Sequence, residues 1–234
     1  MRSRDITGRM VSFFDNIVPP LLRDQWWFMR PFFKIVCGKS ADSYMNFKQI
    51  YYSCSEDGIK KLYEQSSGIH SRRDTDLNED CLREILNAAI GLSVLDIACG
   101  KGLLSKSLAE KGFEVTACDF LNVLSPSFIH DKVSFVQADI CSLDFEDKKF
   151  DTVISAHTIE HIENIFSAVS ELRRVARKRL IIAVPKQRAC KFTFDFHIHF
   201  FPYEITLLSI LGARNRNYKL KLLDGDWLYI EDIV

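Results

Sequence analysis

The chain has 234 residues, 47% hydrophobic and 26% charged, which suits one sizeable core with or without a smaller appendage. Its 31 basic and 31 acidic residues cancel, leaving no basic surplus of the kind that nucleic-acid binding draws on. Seven cysteines stand singly, with no Cys-x-x-Cys pair and no secretory pattern at the N-terminus; this argues against a disulfide framework and for a reducing cytoplasm.

Residues 1 to about 90 are rich in aromatics, carry Pro19, Pro20 and Pro31, and show no strand alternation. They read as several short helices forming a helical cap. The stretch IVPPLLRDQWWFMRPFFKIV is broken by Arg23, Asp24, Arg30 and Lys34, so it is no transmembrane segment, which needs about 20 mostly apolar residues. Its WWFMRPFF cluster reads as buried core, as a lid over an apolar acceptor, or as a peripheral membrane contact. In TDLNEDCLREILNAAIG, Leu82, Ile85, Leu86 and Ala89 recur at helical spacing. Asp76 with Glu79 has the form of a capping box, and Gly91 is a stop signal.

From Leu92 the pattern alternates. SVLDIA is a short apolar strand, LLSKSLAEKG a helix, FEVTACDF, VSFVQADI and FDTVISAH three further strands. A helix follows with Ile162, Ile165, Phe166, Val169 and Leu172 on one face, then the strand RLIIAVPK and the helix PYEITLLSILG. NYKLKLLDGDWLYIEDIV reads as two strands hinged at Asp224-Gly225, a strong hairpin signal. The pattern predicts an α/β fold: a doubly wound, mostly parallel, seven-stranded sheet whose C-terminal hairpin brings one strand in antiparallel, preceded by the helical cap. The expected domains are 1–90 for the cap and 91–234 for the core.

Ligands of such sheets sit at the carboxyl ends of the strands, where Asp96, Asp119, Asp139 and His157 fall. In Asp96-Ile-Ala-Cys-Gly100-Lys-Gly102 the glycines allow close backbone approach, while the leading acid disfavours a pyrophosphate and suits an ammonium. Asp119 lies at the next strand end, the position that binds ribose hydroxyls, and Phe120 beside it offers a face for a purine. Asp139 and Ile140 follow at the third strand end. The order describes a ligand with a cationic amino acid end, a ribose and a purine.

Together VLDIACGKG, VTACDF, FVQADI and FDTVISAHTIEHI resemble the motif series of class I S-adenosylmethionine-dependent methyltransferases, most closely the branch that includes ubiquinone- and menaquinone-biosynthesis enzymes. The resemblance covers roughly residues 78–234. It implies S-adenosyl-L-methionine as cofactor, with Ala98, Cys99, Gly100 and Gly102 in the loop under its methionine part and Asp96 ordering that loop and the amino group. It implies Asp119 and Phe120 at the ribose and its neighbouring ring, Asp139 and Ile140 at the adenine, and Ala156 and His157 near the sulfonium. The family's Leu-Glu-His triplet is here Ile159-Glu160-His161, a departure at one position. HIHFFPYEI is similar to a family segment near the acceptor pocket, which makes His197 and His199, with His157, candidates for a catalytic base. Arg72, ahead of the first core helix, is a candidate partner for the cofactor carboxylate.

His197-x-His199 on a strand would point two imidazoles one way, yet no third ligand has clear spacing, so no metal is expected. RRVARKR, at a helix end, reads as a solvated terminus rather than a nucleic-acid patch. The reading is an enzyme: a cytoplasmic methyltransferase acting on a small-molecule acceptor, with the methylated atom and oligomeric state open. Two alternatives stand beside it: a non-catalytic cofactor- or partner-binding protein of the same fold, and a nicotinamide-dependent oxidoreductase. The two-glycine loop and the final hairpin argue against the latter.

Overall fold

The computed structural model describes residues 13–55, 58, 59, 61, 74–122 and 124–233. It divides into two compact units. One comprises the chain up to Arg73 together with Gln187–Phe200; the other comprises Asp74–Lys186 and Phe201–Val234.

The second unit is a seven-stranded sheet in the order β3-β2-β1-β4-β5-β7-β6. Its strands are β1 Ser93–Ile97, β2 Glu114–Asp119, β3 Val133–Gln137, β4 Phe150–Ala156, β5 Ala176–Pro185, β6 Asn217–Leu223 and β7 Asp226–Asp232. The first five are mutually parallel, and β7 runs antiparallel to both β5 and β6. The expected doubly wound sheet with its antiparallel C-terminal strand is therefore present.

Central strands covered on both faces have no reason to alternate in polarity, and β4 is buried along nearly its whole length. The edge strand β6 alternates instead, carrying Lys219 and Lys221 where a bare edge would otherwise invite pairing with another chain. Successive residues of one strand feed opposite faces. Leu95, Val153, Leu180 and Ile182 pack with the helix Ile165–Val175; Val94, Ile154, Ile181 and Ala183 pack with the helices Glu79–Ala88 and Leu103–Glu110. Fully buried leucines such as Leu108 and Leu172 each contribute about 1.5–3 kcal/mol relative to exposure.

Several details differ from the sequence expectation. The cap of the helix Glu79–Ala88 is Asn78, whose side chain accepts from the Cys81 amide at 2.7 Å, rather than Asp76. The same side chain donates to Asp226 at 2.8 Å, a tertiary bond that an aspartate in its place would lack the N–H to make. The buried face of Ile165–Val175 is Ile165, Ala168, Val169, Leu172 and Val175; Phe166 lies off it and is exposed. The helix Glu79–Ala88 also belongs with the sheet. Cys81, Ile85 and Ala88 share a core with Val94, Leu108 and Leu228, so the units divide after Arg73 rather than after residue 90.

The arginines of RRVARKR are paired rather than freely solvated: Arg173 with Glu231, Arg174 with Glu171 and Asp147, Arg177 with Asp151, and Arg179 with Asp232.

The first unit contains the helices Trp26–Cys37 and Ala41–Tyr51. Its core is aromatic. Phe33 stacks on Phe194 with centroids 3.9 Å apart, and Phe196 meets Tyr44 and Phe47, each at 4.3 Å. The segment 187–200, which carries His197 and His199, forms neither helix nor strand. Among the described residues, no helix is long and apolar enough to cross a membrane.

Candidate functional site

Strands β1 and β4 are neighbours, with Ile97 opposite Ser155. From β1 the chain winds to β2 on one side, and from β4 it winds to β5 on the other. This is the point at which an open α/β sheet leaves a crevice beyond its strand ends. Both strands exit through a non-glycine residue in the left-handed region: Ala98 at φ 57° and His157 at φ 53°. Each such residue costs about 1–2 kcal/mol, and strain of this kind gathers where a chain must present something.

After β1 the chain forms a loop held by backbone bonds. Cys99 donates its amide to the Cys118 carbonyl at 3.0 Å, and Gly102 donates to the Cys99 carbonyl at 3.0 Å. The Gly100 amide donates to Asp119 Oδ2 at 2.9 Å, and the Leu121 amide to Asp119 Oδ1 at 3.0 Å. Asp119 thus fixes the loop to the end of β2, and burial raises its carboxyl above the ordinary range despite those two donors. Gly100 has φ 53° with open space where a Cβ would point. At Gly102, with φ 92°, a Cβ would come within 2.7 Å of Leu124 Cδ2.

Asp96 lies under this loop, 2% exposed. Ser105, one turn into the following helix, donates its hydroxyl to Asp96 Oδ2 at 2.5 Å. Burial raises the Asp96 carboxyl to about 7; the Ser105 hydrogen bond opposes this and the Asp119 charge adds to it. A buried acid in this state is suited to a cationic neighbour, which would draw it back to the ionised form.

Phe120 is 52% exposed, with its carbonyl accepting from Gln137 Nε2 at 2.9 Å. Asp139 is exposed and accepts the Cys141 amide at 2.8 Å, closing a tight turn after β3. Ile140 is buried in the core rather than presented at the surface. Ala156 is half-buried at the end of β4.

His157 stands between two acids. Its Nε2 is 3.2 Å from Asp226 Oδ2 and its Nδ1 is 3.5 Å from Glu160 Oε1. Burial alone would lower the imidazole's affinity for a proton, but Asp226 and Glu160 outweigh it and raise the pKa to about 10. The two flanking acids thus favour the protonated ring.

His197 and His199 lie in the other unit; the His197 Nδ1 sits 2.6 Å from Gln187 Oε1. Arg72 lies outside the described residues. The sequence reading passed over Ser105, Asn78 and Asp226. Ser105 had a usable signal, a hydroxyl in the first turn after the glycine loop. Asn78 and Asp226 had none, because they meet across 148 positions.

Residues 95–184 match the family model described as a methyltransferase domain. The demethylmenaquinone methyltransferase of Beutenbergia cavernae is 30% identical over 131 residues, which is 54% of this chain and 55% of that protein. The ubiquinone biosynthesis O-methyltransferase of Rickettsia conorii is 40% identical over 80 residues, 32% of this chain and 27% of that protein. The match thus spans about half, or less, of the length of these relatives. Among solved structures, a SAM-dependent methyltransferase from Aquifex aeolicus superposes with TM-score 0.53 at 18% identity, covering 66% of this chain and 89% of that one. An S-adenosylmethionine-dependent methyltransferase from Mesorhizobium loti does so with TM-score 0.52 at 13% identity, covering 65% and 96%. Strand order, glycine loop and family match together identify residues 95–184 as a methyltransferase domain, carried on a sheet of the class I methyltransferase fold.

Proposed function

We propose that the protein is an S-adenosylmethionine-dependent methyltransferase of the cytoplasm that methylates a small-molecule acceptor. The observation that carries this is the glycine loop of β1, bound through the Gly100 amide to the carboxylate ending β2, with buried Asp96 beneath it at the strand switch point. The residues present fit the cofactor. Gly100 leaves open space above the loop for a ligand to approach the backbone, and the exposed ring of Phe120 offers a face beside Asp119. The relatives' names point to quinone-related rings as one acceptor class.

When bound, S-adenosylmethionine supplies a methyl group already activated on a sulfonium, so the protein's share is positioning and exclusion of water. Asp119 holds ribose hydroxyls: a carboxylate offers about four lone-pair sites, and the Gly100 and Leu121 amides occupy two. Asp96 adds negative charge under the loop for the amino group and keeps the loop in place through Ser105. Phe120 packs on the adenine side, and Asp139 accepts from its amino group. His157 serves as a fixed cation rather than a base. His197 and His199 remain candidates for contact with the acceptor.

Calorimetric titration of S-adenosylmethionine and its demethylated product into the purified protein tests the reading. Micromolar binding, weakened at least about tenfold by Asp119→Asn, is the expected result. A folded protein that binds neither compound would overturn it.

A further inference from the structure

The helix Trp26–Cys37 is apolar on two opposite faces. Met29 and Phe33 on its inner face are buried in the aromatic core of the helical unit. The outer face follows from the helical repeat: Trp27, Pro31, Lys34 and Ile35 stand at positions i, i+4, i+7 and i+8, and all four are exposed. Trp27 is 68% exposed and Ile35 79%. Leu21, just ahead of the helix, is exposed to the same degree as Ile35, and its carbonyl accepts from the Gln25 side chain at 3.1 Å. The WWFMRPFF cluster is therefore core on one side only. Its other side turns large apolar groups to solvent, where their hydration is unfavourable.

The charges around this face are unbalanced. From Asn16 to Ser40 the chain carries four basic residues, Arg23, Arg30, Lys34 and Lys39, against one acid, Asp24. Arg23 turns inward to Asp15, and Asp24 accepts the Lys191 amide. Arg30 pairs with Asp42, near which Lys34 also lies. Lys39, in the turn Gly38–Ser40, is exposed. Arg30, Lys34 and Lys39 thus stand against Asp42, a local positive surplus on a chain whose total formal charge is zero.

An apolar stripe bordered by lysines fits an interface that is anionic at its surface and apolar beneath. Isoleucine and leucine enter the acyl boundary, and an indole settles at headgroup depth. The apolar stems of the lysines let their ammonium groups reach phosphates. A second copy of the chain fits worse, because a two-fold interface sets the lysines of one copy against those of the other. We propose that the outer face of the helix Trp26–Cys37, with Leu21 before it and Lys34 and Lys39 beside it, docks the protein reversibly on an anionic lipid surface. Such docking is independent of the function proposed above; taken with it, it brings the transferase to acceptors held in a bilayer.

The test mixes the full chain with vesicles of phosphatidylcholine and phosphatidylglycerol in equal parts, or of phosphatidylcholine alone, and measures bound protein by flotation. Binding to the anionic vesicles should be at least about tenfold tighter than to the neutral ones, and added salt should weaken it. Trp27→Ser with Ile35→Ser, and separately Lys34→Glu with Lys39→Glu, should each weaken it at least about tenfold. No flotation of the unaltered chain, or equal affinity for both vesicles, overturns the proposal without recourse to a variant. Variants that float as well as the unaltered chain overturn it too. So does a dimer of the unaltered chain in sedimentation that Ile35→Ser dissolves, since a second copy then covers the face. Titration with S-adenosylmethionine separates the two readings. A chain that binds the cofactor but no vesicles overturns the docking alone, and one that binds anionic vesicles but no cofactor overturns the proposed function alone.

Discussion

The sheet unit closes its core mainly with aliphatic side chains from strands and helices, whereas the helical unit closes its core mainly with aromatic rings, some from its N-terminal helices and some from after β5. In the first, the central strands are covered by helices on both faces, and Leu228 and Ile230 of β7 share a core with the helix Glu79–Ala88. In the second, Phe192, Phe194 and Phe196 come from after β5 to meet Phe33, Tyr44 and Phe47. Aliphatic packing on a parallel sheet is built from many small contacts and spreads its losses. Stacked rings concentrate their contribution in a few pairs, each adding about 0.5–1.5 kcal/mol beyond burial. The chemistry of the candidate cofactor site is carried by the distributed unit.

The comparison is broken most forcefully in the aromatic core. Phe33→Ala removes a fully buried ring stacked on Phe194 and is expected to destabilise the helical unit by about 3–5 kcal/mol. Denaturant unfolding followed by Trp26 and Trp27 fluorescence should show the shift, and a loss under ~1 kcal/mol would mean that the aromatic core is not the unit's keystone.

Next in size is Asp96→Asn. The native carboxyl titrates at about 7 and the ordinary value is 3.8, so between those pH values the folded state holds a proton that the unfolded state has released. Stability therefore falls as pH rises through that window, and above 7 the penalty is complete. Asparagine keeps an acceptor for Ser105 and removes the penalty; a gain of about 1–3 kcal/mol at pH 8 is expected, together with weaker cofactor binding. A variant that is both less stable and undiminished in binding would refute the assignment.

Gly102→Ala sharpens the contrast at a single backbone position. Alanine at φ 92° within 2.7 Å of Leu124 should cost about 1–2 kcal/mol and lower cofactor affinity through the displaced loop. A change of less than twofold in binding would show that the loop yields without consequence.

The last effect is an alkaline one. The folded-state pKa of His157 is raised from 6.5 to about 10, so its contribution is complete below 6.5 and is lost as pH rises through about 10. The melting temperature should fall between pH 7 and 10, and His157→Gln should flatten that slope. An equal slope in both proteins would count against the ion pair.

How much of this was legible depends on whether the relevant physics is local. Strands buried on both faces appear as apolar runs such as Ser93–Ile97, and Asp224-Gly225 announces its turn because a two-residue hairpin needs positive φ at both positions; the observed angles are 41° and 86°. The acids at the ends of β1 and β2 were readable from their spacing to the glycines. Asn78 was not preferred to Asp76 because both residue types cap helices, and the choice is made by Asp226 far along the chain. His157 was one of several candidate bases, and its flanking carboxylates are visible only in three dimensions. The period-two phenylalanines of 192–196 mimic a strand, yet they pack on helices with no strand alongside.

The discontinuity of the helical unit has a consequence for synthesis. The ribosome delivers the N-terminal helices first, and the three phenylalanines that complete their core come more than 140 residues after Tyr51, the last residue of the helix Ala41–Tyr51. At roughly 5–20 residues per second the nascent helices wait on the order of ten to thirty seconds with Phe33 and Phe47 lacking their partners. That interval is when a chaperone has most to shield. A nascent chain arrested at Lys186 should hold more chaperone than one released after Phe201, and equal holding would show that the helices find another way to cover their rings.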